Sequence, residues 1–133
     1  MPKATPEMIA IVNEIMDACC ERDGDRIAKL SVDDETGGFY CVHSGLTINK
    51  SLQDCIDDLR PKPHAHALEC ETEGYYDGNC GWFLTVFKGI FPDGTPEPIR
   101  GTTVLRKVNG EWKVASVHVS EAVARPERFI VNK

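Results

Sequence analysis

The stretch GTTVLRKVNGEWKVASVHVS, residues 101–120, predicts two antiparallel strands joined by a tight turn at Asn109-Gly110. Asn-Gly between two runs of alternating residues is the strongest short-range signal for a β-hairpin. We therefore expect one strand over residues 99–108 and its partner over residues 111–120. These two strands decide which side chains can face the interior of the protein.

The turn leaves two registers open, and they put Thr103 on opposite faces of the sheet. In a two-residue turn, Thr103 lies on the same face as His118. In a three-residue loop with its glycine in a left-handed bulge, Thr103 lies on the other face, with Val117. We favour the three-residue loop, because it also places Arg106 across from Trp112, where a cation–π contact is available.

Three helices are predicted before the strands. Thr5 is expected to cap the first helix, whose apolar residues recur at helical spacing from Met8 to Cys19. Gly24 fits the C-terminal cap of that helix, and Asp25 is expected to cap a second, short helix that runs through Leu30. A third helix is expected to begin after its N-cap, Ser51, and to end before the next proline.

The remaining strands are predicted by alternation and by their β-branched and aromatic residues. We expect a short strand from Phe39 to His43, a second from His64 to Glu73, and a third from Asn79 to Phe91, with a turn at residues 74–78. Alternation ends before residues 122–133, which are expected to form a tail. Helices followed by a run of antiparallel strands indicate an α+β fold.

Length and charge limit the kinds of partner. The chain has 133 residues, a net charge of −6 and a pI of about 5.2. We expect one domain over residues 1–133. The acidic balance argues against a nucleic-acid partner, which needs a basic face, and no run of ~18 apolar residues predicts a membrane partner. Because no leader segment is recognisable, we expect a cytoplasmic protein.

Neither the cysteines nor the histidines predict a metal site. The six cysteines contain no CxxC pair, and reduced, buried thiols are the expected state. His64 and His66 share one face of a strand and could hold a metal with His43 as a third ligand. A pair of surface histidines is the favoured interpretation, since the sequence indicates no supporting residues. We therefore expect no metal and no cofactor.

The run from Gly81 to Ser120 resembles the SnoaL-like branch of the nuclear-transport-factor-2-like superfamily. It is especially similar to the calcium/calmodulin-dependent kinase II association domain. The matching features are a threonine-bearing strand, the basic pair Arg106-Lys107, Asn-Gly, Trp112 and a terminal His-x-Ser. The resemblance implies a cone-shaped α+β barrel, with N-terminal helices packed on a curved, mostly antiparallel sheet. It also implies a pocket on the concave side and a homodimer through the outer sheet face.

The register implied by the family is the second reason for favouring the three-residue loop, and it assigns the inner wall of that pocket. Its expected lining residues are Phe83, Thr85, Phe87, Thr103, Ala115, Val117 and Val119. In the kinase association domain, corresponding positions include arginines that bind carboxylates. Here these positions are held by Thr85, Thr103 and Val119, which argues against a carboxylate-clamping pocket.

Three residues are candidates for catalysis. Tyr40 and His43, on the first strand, could supply an acid or a base, because an unperturbed histidine titrates near pH 6.5. His118 is the third candidate. Alternation along its strand turns it to the outer face, where a hydrogen-bonded interface residue is the favoured interpretation.

Fold alone does not assign a function in this superfamily, whose members include isomerases, dehydratases and cyclases as well as binding and assembly proteins. Our first hypothesis is a dimeric domain that binds a small molecule in an apolar pocket between the helices and the concave sheet face. The second is an isomerase-, dehydratase- or cyclase-type enzyme acting on a small hydrophobic substrate. The third is an oligomerisation module without chemistry.

Overall fold

A computed structural model describes residues 2–43 and 48–121. Three helices lie within them: α1 (Pro6–Cys20), α2 (Gly24–Leu30) and α3 (Leu52–Leu59). The strands are β1 (Tyr40–Val42), β2 (Ile48–Asn49), β3 (His66–Asp77), β4 (Cys80–Ile90), β5 (Pro96–Val108) and β6 (Glu111–Glu121). The expected tail, residues 122–133, falls outside the described residues.

The strands form one curved, mixed sheet in the order β2-β1-β6-β5-β4-β3. Every neighbouring pair is antiparallel except β1 and β6, which run parallel. The helices cover the concave face of the sheet, so the predicted α+β architecture is confirmed. No helix among the described residues is long and apolar enough to cross a membrane.

Helix α1 supplies much of the cover over the sheet. Thr5 caps it as predicted, with the Met8 amide donating to Thr5 Oγ1 at 3.3 Å. Its buried side includes Val12 and Ile15, which are fully inaccessible to solvent. Gly101 of β5 lets the helix approach closely, because a Cβ there would lie 2.9 Å from Met16 Cε. Burial of this apolar side is what holds the helix on the sheet.

The end of α1 differs from the prediction. Arg22, and not Gly24, takes the left-handed conformation after the helix, with φ at 59°. The amides of Arg22 and Asp23 donate to the carbonyls of Cys19 (3.2 Å) and Ala18 (3.0 Å), which is a Schellman motif. Asp23, and not Asp25, caps α2 by accepting from the Arg26 amide at 3.1 Å. The connection between the helices therefore lies two residues earlier than predicted.

The β5–β6 hairpin has a two-residue turn, so the favoured three-residue loop is wrong. Val108 pairs with Glu111, and both Asn109 (φ 51°) and Gly110 (φ 81°) are left-handed, as a type I′ turn requires. The register also puts Lys107 and not Arg106 beside Trp112, with Lys107 Nζ 5.6 Å from the ring centroid.

A β-bulge further along β6 nevertheless turns Thr103 inward. Leu105 pairs with Val114, whereas Val104 pairs with Ser116, so Ala115 is the extra residue on β6. Val114 and Ala115 are both buried, although strict alternation from His118 would place Val114 on the outer face. The predicted inward side of Thr103 is therefore correct for a different reason from the one expected.

The turn between β3 and β4 also lies elsewhere than predicted. Asp77 pairs with Cys80, so the reversal occurs at residues 78–79 and not over residues 74–78. Gly74 lies inside β3 opposite Phe83, and a Cβ there would come within 2.4 Å of the Phe83 ring. This glycine makes room for a buried aromatic ring and does not mark a turn.

The outer edge of β3 is covered or distorted along its length. The segment before α1 runs beside the second half of the strand, where the Ala4 amide donates to the Gly74 carbonyl at 2.9 Å. In the first half, the pairing with β4 is interrupted between Leu68 and Glu71, and Glu69 is left-handed with φ at 56°. A bulge of this kind ends regular pairing and bends the strand.

Two buried threonines on the inner face provide a matched stability test. Thr85 Oγ1 is 2.8 Å from Thr72 Oγ1, whereas Thr103 Oγ1 has no hydrogen-bond partner among the described residues. We expect Thr103→Val to raise the free energy of unfolding by about 1 kcal/mol, because it removes an unpaired buried hydroxyl. Thr85→Val should lower it by about 1 kcal/mol, because Thr72 loses its donor. Urea unfolding of both variants checks this, and a shift in the same direction would contradict it.

Candidate functional site

A cavity of about 180 Å³ lies between the C-terminal end of α1, the segment after α3 and the inner face of the sheet. Its apolar wall includes Met16, Leu59, Phe87, Phe91, Ile99 and Val117. Four polar or charged residues also line it: Arg22, His43, Lys62 and Glu121. An apolar wall with a few polar groups is typical of small-molecule sites.

The seven residues predicted for the pocket divide into two groups. Phe87, Val117 and Val119 line the cavity. Phe83, Thr85, Thr103 and Ala115 are buried on the same inner face, but they belong to the packed interior and do not line the cavity. The space therefore lies toward the ends of β4 and β6 that are far from Phe83.

His43 is the one catalytic candidate that lines the cavity. Tyr40 is 53% exposed and pairs with Ser116, and its neighbour Cys41 points inward. His118 is exposed on the outer face, paired with Thr102 on one side. Since side chains alternate along a strand, the inward position of Cys41 turns Tyr40 away and returns His43 to the inner side.

His43 is bound to a carboxylate that the sequence did not point to. Its Nε2 donates to Oδ2 of Asp58 on α3 at 2.7 Å, and both side chains are largely buried, at 12% and 20% exposed. Asp58 Oδ1 also accepts from Lys62 Nζ at 3.3 Å. A carboxylate that holds one ring nitrogen fixes the orientation of the imidazole.

The surroundings of Asp58 keep it ionised. Partial burial acts to raise the pKa of this carboxyl, but the hydrogen bonds from His43 and Lys62 outweigh it, so the pKa lies below its usual 3.8. The Asn49 amide adds a contact of 3.4 Å to Oδ2. At neutral pH Asp58 is thus an anionic carboxylate that holds the ring of His43 at the cavity wall, and histidine is the side chain most often used in general acid–base catalysis.

The cysteines at the cavity are part of its lining. Cys19, Cys20 and Cys41 line it, and Cys55 of α3 donates a thiol hydrogen bond to Cys41. Burial raises the pKa of Cys20 to about 11 and that of Cys19 still further, so both are protonated at neutral pH. The bond from Cys55 lowers the pKa of Cys41 and raises that of its donor. Protonated thiols are poor nucleophiles, so Cys19 and Cys20 are not suited to nucleophilic catalysis.

The one metal-type cluster among residues 2–43 and 48–121 joins His66 to two carboxylates. Ligand atoms of Asp17, Glu21 and His66 lie within 4.8 Å of one another, and His66 Nδ1 is 2.9 Å from Glu21 Oε1. Arg26 already bonds both carboxylates, at 3.2 Å from Asp17 Oδ2 and 3.0 Å from Glu21 Oε2. Neither His64 nor His43 belongs to this group, which is an ion-pair network centred on a guanidinium.

Comparison with known proteins supports the fold. A family model described as a SnoaL-like domain matches residues 9–125, whereas no curated protein matches the chain. A proposed calcium/calmodulin-dependent protein kinase type II association domain from Thiobacillus denitrificans has a TM-score of 0.72 and 18% identity, over 92% of this chain and 98% of its own. A proposed dehydratase of the nuclear-transport-factor-2-like family from Streptomyces avermitilis has a TM-score of 0.69 and 15% identity, over 90% and 100%.

A third structure is of a ketosteroid isomerase-like protein from Erwinia carotovora atroseptica. Its TM-score is 0.63 at 13% identity, over 86% of this chain and 93% of its own. At such low identities the likeness of all three establishes the fold alone, and the chemistry of the site rests on its own residues.

Proposed function

The chain belongs to the SnoaL-like domain family, and we propose that this member binds a small, mostly apolar molecule in the cavity beside His43. The observation that carries the proposal is an apolar space of about 180 Å³ lined by His43, whose ring is bound to Asp58 behind it. An engineered cavity of roughly 150 Å³ is large enough to hold benzene. The expected ligand is therefore about the size of one six-membered ring with a small substituent.

Burial of the ligand's ring would supply most of the binding free energy. The side chains of Phe87, Ile99 and Val117 are almost fully inaccessible to solvent, so the wall is already formed before a ligand enters. A preformed apolar wall loses little conformational entropy on binding. The few polar groups would then fix the orientation of the ligand and decide which molecules fit.

The second candidate function is acid–base catalysis on such a ligand, and the His43–Asp58 pair favours it. Proton transfer requires a group with a suitable pKa within reach of the substrate, held in a fixed orientation. His43 lines the cavity, and its 2.7 Å bond to Asp58 holds its ring. Tyr40 and His118, the other two candidates, do not line the cavity, so we assign the acid–base role to His43.

We further propose that the protein is a homodimer through the outer face of the sheet. Three large apolar side chains on β4, Trp82, Leu84 and Val86, are 42–46% exposed and lie side by side on this face. His118 and Ser116 of β6 lie on the same face. Contiguous exposed apolar surface rimmed by polar groups is typical of protein interfaces.

Filling the cavity should abolish binding. Ala65 is buried and lines the cavity, so Ala65→Phe puts a ring where the ligand would lie. We expect ligand-observed NMR to detect cyclohexanone binding to the wild-type protein and none to Ala65→Phe. Ala28→Phe, on the exposed side of α2, is the matched control and should bind as wild type does. Equal binding by all three proteins would place the ligand elsewhere.

Acid–base activity can be read from hydrogen exchange on the same probe. In D₂O, a base at the cavity wall should speed exchange of the C–H next to the cyclohexanone carbonyl. We expect His43→Gln to lose about 10²-fold of this acceleration, a typical contribution of general acid–base catalysis. His118→Gln should retain it. If the wild-type protein binds cyclohexanone but exchanges it no faster than buffer does, the domain binds without catalysing.

The dimer should depend on the apolar stripe of β4. We expect light scattering to give about twice the chain mass of 14.8 kDa for the wild type and a monomer for Leu84→Glu. The reason is that a charge in a closely packed apolar interface loses its hydration. Ile48→Glu makes the same change at another exposed aliphatic residue, on β2, and should remain dimeric. Masses well above a dimer would support the oligomerisation-module hypothesis instead.

A further inference from the structure

Arg22 occupies a backbone position that normally favours glycine. It is the left-handed residue of the Schellman motif after α1, with φ at 59°. Glycine takes this conformation without steric cost, whereas any residue with a Cβ is strained in it. Strain that persists next to a cavity indicates that the side chain has a role there.

Two hydrogen bonds fix the guanidinium at the cavity. Its Nε donates to the Pro63 carbonyl at 3.1 Å, and its Nη1 donates to the Cys19 carbonyl at 2.9 Å. These bonds tie the end of α1 to the segment after α3. The second terminal nitrogen, Nη2, has no hydrogen-bond partner among the described residues, and Arg22 lines the cavity. The guanidinium is therefore held in place while its Nη2 can still donate a hydrogen bond.

The charges around Arg22 favour an anionic ligand group. Lys62 lines the same cavity, but its Nζ is 3.3 Å from Asp58 Oδ1, whereas the hydrogen bonds of Arg22 are to carbonyl groups and leave its charge unpaired among the described residues. The opposing carboxylate at the cavity is that of Glu121, which is exposed at the end of β6, where water and salt weaken its repulsion. Asp58 is engaged by His43 and Lys62. The expectation of no carboxylate-clamping pocket considered only the strand positions, such as Thr85 and Thr103, which carry no charge, whereas Arg22 follows α1.

We propose that Arg22 binds the carboxylate of the ligand, which makes the ligand a small ring-bearing carboxylic acid. The ring occupies the apolar wall, and the carboxylate accepts a charge-assisted hydrogen bond from the guanidinium. Arginine suits this role because its planar donors match the geometry of a carboxylate. The inference rests on the proposed function and adds the chemical class of the ligand to it.

Benzoate and benzamide test the inference, because they share shape and differ in charge. We expect calorimetry on the wild-type protein to give about tenfold tighter binding of benzoate than of benzamide, as for a hydrogen bond to a charged group. Arg22→Gly relieves the backbone strain, so it should fold with a melting temperature close to that of wild type. It should bind both molecules equally, with unchanged affinity for benzamide. Arg22→Gln should likewise bind benzoate and benzamide equally.

Arg100→Gln is the matched control, since Arg100 lies on β5 with its Nε 3.4 Å from Ser120 Oγ and does not line the cavity. It should keep the preference for benzoate. Equal affinity for the two molecules in wild type, or a preference that survives Arg22→Gly, would overturn the assignment while leaving the proposed binding function intact. If neither molecule binds to the wild-type protein, the proposed function fails together with the inference.

Discussion

The extra residue in β6, Ala115, determines which side chains of the last strand face the helices. Before the bulge Val114 is inward, and after it Val117 and Val119 are inward. Without this residue the tight turn at Asn109-Gly110 would bring the opposite set to the inner face, because side chains alternate along a strand. The bulge thus reconciles a two-residue turn with an apolar cavity wall at the other end of the same strand.

The same strand positions His43. Because β1 runs parallel to β6, with Cys41 opposite Val117, the inward side of β6 also sets the inward side of β1. His43 follows β1 and reaches Asp58 on α3, so one register connects the hairpin, the first strand and a helix. A histidine held in this way stands at an apolar surface with its ring orientation fixed, which neither β1 nor α3 could provide alone.

Local signals in the sequence predicted what short-range interactions determine. Thr5 and Ser51 cap α1 and α3 as expected, since a cap depends on three or four successive residues. The alternation along β4 also predicted its buried face correctly, with Phe83, Thr85 and Phe87 inside. These features require no knowledge of distant parts of the chain, and the family resemblance supplied the order of the elements.

Features that depend on pairing between distant residues were missed. No glycine or proline in the sequence marks the bulge at Ala115, and nothing in the sequence of α3 distinguishes Asp58 from its other acids. Arg22 was overlooked because Gly24, two residues later, is the better match to a helix cap. The extent of the cavity could not be predicted either, because it depends on how Phe87, Ile99 and the helices pack together.

The cover along β3 has a consequence for how the protein behaves in a crowded solution. Unpaired edge strands are templates on which other chains can add strands and aggregate. Here the segment from Pro2 to Ala4 occupies one half of the edge, and the bulge at Glu69 disrupts the other half. The residues before α1 thus block the addition of strands from other chains. A chain that lacks Pro2 to Ala4 would become less soluble before it unfolded.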